Sequence, residues 1–130
     1  MLGDRDVVAT IAVRDIETAS RFYEDTLGLR LAEYQSPDPT AILYRSGNAA
    51  VLVYQSAYAG TNQATSASWG VGDDLDAIVA ELGAKGVAFE HYDDLPGMTR
   101  EGDVHVMGPL RAVWFRDPDG NILNVVNESL

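Results

Sequence analysis

The chain has 130 residues, 46% hydrophobic and 22% charged, with a formal net charge of −11 and no cysteine, which is the usual size of one domain with a core that needs no staples. Disulfides, thiolate metal sites and thiol catalysis are excluded, no apolar run approaches the roughly 20 residues of a membrane span, and nine Lys plus Arg against twenty acids is the wrong balance for nucleic acid or an anionic membrane. The opening MLGDRDVV lacks the basic-then-apolar order of a secretion signal, so a cytoplasmic location is expected.

Val7, Ala9, Ile11 and Val13 alternate with Val8, Thr10 and Ala12, which predicts a strand. Asp15 stands as N-cap of a helix over 16–27, with an apolar stripe of Ala19, Phe22, Tyr23 and Leu27 and Gly28 as its stop. Three strands are predicted next, over 29–35, 40–45 and 49–54; Pro37 and Pro39 interrupt the first pair and Ser46-Gly47-Asn48 turns the second. The small polar run 57–64 reads as a junction, after which the order repeats. A strand over 65–71 leads to a helix capped by Asp73 or Asp74 and running to about Lys85, with Leu75, Ile78, Val79 and Leu82 as its stripe and Gly86 as its end. Strands over 87–92, 110–116 and 122–127 follow, the last two joined by Asp117-Pro118-Asp119-Gly120, a type I turn signature. Residues 93–109, with Pro96, Gly97, Gly102, Gly108 and Pro109, read as a long loop and a candidate lid, with Val104 and Val106 as a short strand at its end.

Two βαβββ modules, about 5–57 and 65–128, are therefore expected in one domain spanning 1–130. The fold class is α+β: the two sheets form an open, cup-shaped mixed sheet with the helices outside.

Three pieces carry a family resemblance. Val13-Arg14-Asp15-Ile16 leads to Phe22-Tyr23 and Leu27-Gly28-Leu29, Val71-Gly72-Asp73-Asp74-Leu75 leads to Gly86-Val87, and Trp114-Phe115-Arg116-Asp117-Pro118-Asp119-Gly120-Asn121 closes the pattern. In their order and spacing the chain resembles the vicinal-oxygen-chelate superfamily of glyoxalases, bleomycin-resistance proteins and extradiol dioxygenases. The resemblance implies paired βαβββ modules and a site inside the cup, where the enzymes hold a divalent metal through four strand residues. Those places fall on Val8, Ser66, near Val53 and on Asn124. Valine offers no lone pair, and Ser and Asn are poor anchors for a divalent ion. A one-residue slip exchanges the faces, but residues 7–13, 49–57, 65–71 and 122–127 contain no His, Asp or Glu. No metal and no cofactor are expected.

For proton transfer near neutral pH only His91 and His105 are available. His91, beside Asp93 and Asp94, reads as a solvated strand end or as a grouping that could hold a metal or tune an imidazole, and His105 as a surface residue or as one aimed into the cup. With Asp103 and Tyr54 they form the catalytic candidates. The aromatics Tyr44, Tyr54, Trp69, Phe89, Trp114 and Phe115 lie on predicted strands and divide between core and pocket. The leading expectation is a metal-free protein that binds a small, partly apolar molecule in the cup, as the bleomycin-resistance branch does by sequestration. Ligand contacts are placed at Thr10, Val53, Gln55, Ser66, Ser68, Asn124 and one of Trp114 or Phe115. The acidity suits a cationic ligand. The alternative is a lyase, isomerase or dioxygenase of the same superfamily with a relocated metal or a metal-free acid–base site. A homodimer is expected, because superfamily members pair and the sheets leave edges to cover.

Overall fold

A computed structural model describes residues 1–130. The chain divides into two compact units, residues 1–62 with 118–121 and residues 63–117 with 122–130.

The first unit contains β1 (Ala9–Val13), α1 (Ile16–Arg21), β2 (Arg30–Leu31), β3 (Ala41–Ser46) and β4 (Ala49–Gln55). Its sheet runs β1-β4-β3-β2, with β1 parallel to β4 and the rest antiparallel. Asp15 caps α1 as expected, its carboxylate accepting from the Glu17 N–H at 3.2 Å. The expected helix over 16–27 changes character halfway: Phe22–Thr26 is a π turn, with the Leu27 N–H bonding the Phe22 carbonyl. Gly28 ends it at φ 73°, a conformation that costs glycine little. Ile11, Val13, Val51, Val53 and Tyr44 share one face of the sheet and are buried. Tyr23, itself fully buried, stacks on Tyr44 at 6.3 Å, so this is the face that α1 and its π turn cover. Burial, and then the Glu24 carboxylate that accepts from Tyr44 Oη at 3.0 Å, push the Tyr44 phenol well above its usual range.

The strand predicted over 29–35 shrinks to two residues. The Gln35 side chain completes the ladder instead: Nε2 donates to the carbonyls of Ala32 and Leu43 at 2.9 and 2.8 Å, and Oε1 accepts from the Leu43 N–H at 2.9 Å.

In the second unit lie β5 (Thr65–Gly70), α2 (Leu75–Ala84), β6 (Thr99–Glu101), β7 (Val104–Met107), β8 (Leu110–Arg116) and β9 (Ile122–Val126), in sheet order β5-β9-β8-β7-β6. The first strand again pairs parallel with the last, and an antiparallel meander again completes the sheet. This topology, rather than residue identity, is where the repeat shows. Two expectations are corrected here. Residues 93–109 are not a free loop: besides the short strand expected at Val104 and Val106, which is β7, they carry β6, and the β6–β7 hairpin joins the sheet through β8. Residues 87–92 are not a full strand, and only Phe89 bridges to Phe115 while the Glu90 N–H donates to the Trp114 carbonyl at 2.8 Å. A third correction concerns α2, which Asp74 precedes without any side-chain capping bond.

Val113, Phe115, Leu123 and Val125 form the face that α2 covers; Leu75 and Leu82 of the helix are buried, and Asp76 of α2 pairs with Arg111 of the same face at 3.0 Å. No helix is long and apolar enough to cross a membrane.

Candidate functional site

The register of the second sheet sets Ser68, Asn124 and Trp114 in one row, on the face away from α2. Ala112 lies two residues from Trp114 and opposite His105, so His105 joins the same face. The rings confirm it: His105 meets Trp114 edge-on at 4.9 Å, Tyr92 meets Trp114 edge-on at 5.6 Å, and Tyr92 lies 5.8 Å from His105. The Trp114 indole N–H donates to Thr65 Oγ1 at 3.2 Å, and Asn124 Nδ2 donates to the Val113 carbonyl at 3.1 Å. An Arg116–Glu90 ion pair borders the group.

His105 is almost wholly buried, 1% exposed. Its Nε2 accepts the Tyr92 backbone N–H at 2.9 Å, which places the proton of the neutral ring on Nδ1. Nδ1 and the Tyr92 hydroxyl are buried and make no well-formed hydrogen bond, although the Ala112 carbonyl lies where it favours the charged ring. Burial lowers the His105 pKa, helped by Arg100 and His91; the Ala112 carbonyl and Asp93 oppose it. The ring therefore favours its neutral form. Burial likewise raises the Tyr92 phenol, with Glu90 adding to the effect. The result is an aromatic corner with two buried polar atoms that make no well-formed hydrogen bond.

Beside it, His91 Nε2 lies 2.8 Å from Asp103 Oδ1, both side chains nearly half exposed, and Arg100 pairs with Asp93 at 2.8 Å. The sequence candidates His91, Asp103 and His105 thus all belong to the second module, and two of them are in contact.

Other candidates separate. Phe115 faces α2 and meets Phe89 at 6.1 Å, so Trp114 is the member of its pair on the site face. Ser66 falls at a bulge between Thr65 and Ala67, and the hydroxyl that reaches Trp114 belongs to Thr65. In the first module Thr10 pairs with Leu52 and Ala12 with Tyr54, placing Thr10 and Tyr54 on the face away from α1. Val53 pairs with Ile11 and is fully buried on the α1 face. It is core, and the placement of Val53 with Val8 and Thr10 is corrected. Gln55 ends β4 on the side of Val53, its Nε2 donating to the Arg14 carbonyl at 3.1 Å. Tyr92 and Thr65 were missed. Tyr92 had a signal, an aromatic next to His91 in a run of alternating residues, whereas Thr65 depends on the bulge.

The residues at the metal-ligand places of the resemblance do not fit a divalent ion: two valines, a serine and an asparagine already bonded to a carbonyl. No three His, Asp or Glu side chains converge elsewhere.

A family model described as Glyoxalase/Bleomycin resistance protein/Dioxygenase superfamily matches residues 6–125. Among solved structures the chain is similar to a lactoylglutathione lyase from Agrobacterium tumefaciens (17% identity, TM-score 0.68, covering 95% of this chain and 92% of that one). It is also similar to the fosfomycin resistance protein FosX from Listeria monocytogenes (14%, 0.67, 100% and 94%). An integron cassette protein from the Halifax Harbour sewage outfall metagenome gives 16%, 0.68, 95% and 97%. Identities this low carry the fold alone. On the match along residues 6–125, the chain belongs to the glyoxalase/bleomycin resistance protein/dioxygenase superfamily.

Proposed function

We propose that the protein binds a small, partly apolar molecule in the cytoplasm, without a metal, against Trp114 and its polar neighbours Ser68, Asn124, Tyr92 and His105. The observation that carries this reading is the aromatic corner with its two buried polar atoms that make no well-formed hydrogen bond. A ring or alkyl group gains from packing on Trp114 and Tyr92, while polar atoms fix its orientation. Ser66, at the bulge, borders the same strand and completes the proposed contacts. Fosfomycin resistance in one structural neighbour and lactoylglutathione lysis in another make a drug or a metabolite equally natural as ligand, held by sequestration.

A specific observation favours a second reading: the His91–Asp103 contact at 2.8 Å is a geometry for acid–base catalysis. Recovery of the ligand separates the two. Under sequestration, a compound bound to the purified protein is released unchanged on denaturation. Its Trp-fluorescence titration is insensitive to chelators, and Trp114→Ala lowers affinity about tenfold or more, as loss of a stacked aromatic does. Conversion of the compound, abolished by His91→Gln, establishes catalysis instead. About one metal per chain by elemental analysis, removed together with binding by a chelator, overturns both metal-free readings.

A further inference from the structure

The first module holds a second, separate feature. Arg30 and Arg45 stand directly opposite each other in the β2–β3 pair, and like charges in that position are destabilising. Acidic partners are plentiful, twenty against nine basic residues, and Arg21, Lys85, Arg100, Arg111 and Arg116 all take one. Arg5, Arg14, Arg30 and Arg45 take none, and of these only Arg30 and Arg45 face each other across a strand pair. They line a groove of about 570 Å³ together with Leu31, Glu33, Tyr34 and Leu43. Tyr34 is 69% exposed and Leu43 lies on the same face of the sheet as Arg45, so apolar surface lies next to the unneutralised charge. The Gln35 side chain pins the segment bearing Glu33 and Tyr34 to β3 through its two bonds to Leu43 and braces it with a third to Ala32, so the rim is organised before any ligand arrives.

We propose that this groove binds a small oxyanion carrying a flat apolar group, an aryl phosphate or aryl carboxylate, with Arg30 and Arg45 clasping the anion and Tyr34 and Leu43, which shares the arginines' face of the sheet, receiving the ring. Guanidinium groups form paired, charge-assisted bonds to such oxygens, and a bound anion relieves the Arg–Arg opposition. Glu33, in the same lining, works against the anion and holds the net charge of the groove to one positive unit. The site is independent of the Trp114 corner, so either can fail without the other.

The competing explanation is that the two arginines only guard a sheet edge against pairing with other chains. Calorimetric titration of the full-length protein with phenyl phosphate, benzoate, inorganic phosphate and phenol decides between them. Saturable binding of phenyl phosphate or benzoate, weakened by added salt, is expected; the tighter of the two identifies the head group, and phenol is not bound. Arg45→Gln lowers the affinity about tenfold or more, Tyr34→Ala reduces phenyl phosphate to the level of inorganic phosphate, and Glu33→Gln strengthens binding several-fold. Arg45→Gln also melts no lower than the wild type, since it removes a repulsion. Absence of saturable binding, or equal affinity in the wild type, Arg30→Gln and Arg45→Gln, overturns the proposal.

Discussion

The two modules share one topology and use it differently. In each, the first strand lies parallel beside the last and a meander follows. The helix-covered faces are alike, aliphatic with one or two rings: Val51, Val53 and Tyr44 in one module, Val113, Leu123 and Phe115 in the other. On the opposite faces they diverge. The first module presents Thr10, Leu52 and Tyr54 there, while the second gathers His105, Trp114 and Asn124 with Tyr92 leaning in. The second also adds the β6–β7 hairpin, which supplies both His105 and the Asp103 that meets His91. Duplicated topology thus fixes the helix-facing core twice, and leaves the other face of each sheet free to differ.

The largest test of that division is in β9, where neighbouring residues belong to different faces. Leu123 is fully buried under α2, and Leu123→Ala removes about 2–5 kcal/mol in chemical unfolding. Asn124→Leu, one residue away, keeps most of the stability because it trades one hydrogen bond of about 0.5–1.5 kcal/mol for apolar contact, yet it weakens ligand binding. The reverse outcome, unfolding by Asn124→Leu and tolerance of Leu123→Ala, exchanges the faces and removes the proposed site.

This division was legible in β9 because a single polar residue breaks an apolar run, so the alternation has a visible phase. In β4 it was not: Ala-Ala-Val-Leu-Val-Tyr is apolar on both faces, and only the Ile11–Val53 pairing shows that Val53 is core. β8 and the Asp117–Gly120 turn were read correctly, since bulky alternation ends there at an unambiguous turn. The β6–β7 hairpin was largely hidden. Thr99–Glu101 has no apolar member, and its strand state comes from pairing with β7, a tertiary effect that a local pattern does not carry. The bulge at Ser66 was hidden for the same reason. Among the site residues, His105 and Trp114 stood out as chemistry-bearing types, but their edge-on contact depends on that unseen hairpin.

A pH series tests whether the second module's distinct face has a cost. His105 has its pKa lowered from 6.5, first by burial, and its Nε2 is occupied by the Tyr92 N–H. The unfolded chain therefore binds a proton at higher pH than the folded one. Stability from the neutral ring is complete above about pH 6.5 and is lost as pH falls below it toward the lowered folded value. The melting temperature of the wild type should drop over that window. His105→Gln, which can still accept the Tyr92 N–H but does not titrate, should flatten the difference. An unchanged pH profile in that variant dissociates the ring from the effect.

The smallest expected effect separates the two helix starts, which the sequence made look equivalent. Each helix begins just after an aspartate at the end of its module's first strand. Asp15, however, accepts the Glu17 N–H and the Thr18 hydroxyl, and these bonds hold its carboxyl below the usual carboxylate range, with the Thr18 bond the larger cause. Asp74 makes no capping bond, because a 3₁₀ turn over Gly72–Asp74 leads into α2 and the aspartate backbone has already left the extended geometry that a side-chain cap requires. Asp15→Ala should therefore cost about 0.5–2 kcal/mol in chemical denaturation, while Asp74→Ala should stay within about 0.5 kcal/mol of the wild type. Asp15→Asn, which caps without charge, should recover most of the loss. Equal losses at the two positions would mean that helix-dipole attraction, shared by both carboxylates, outweighs the hydrogen bonds that only Asp15 makes.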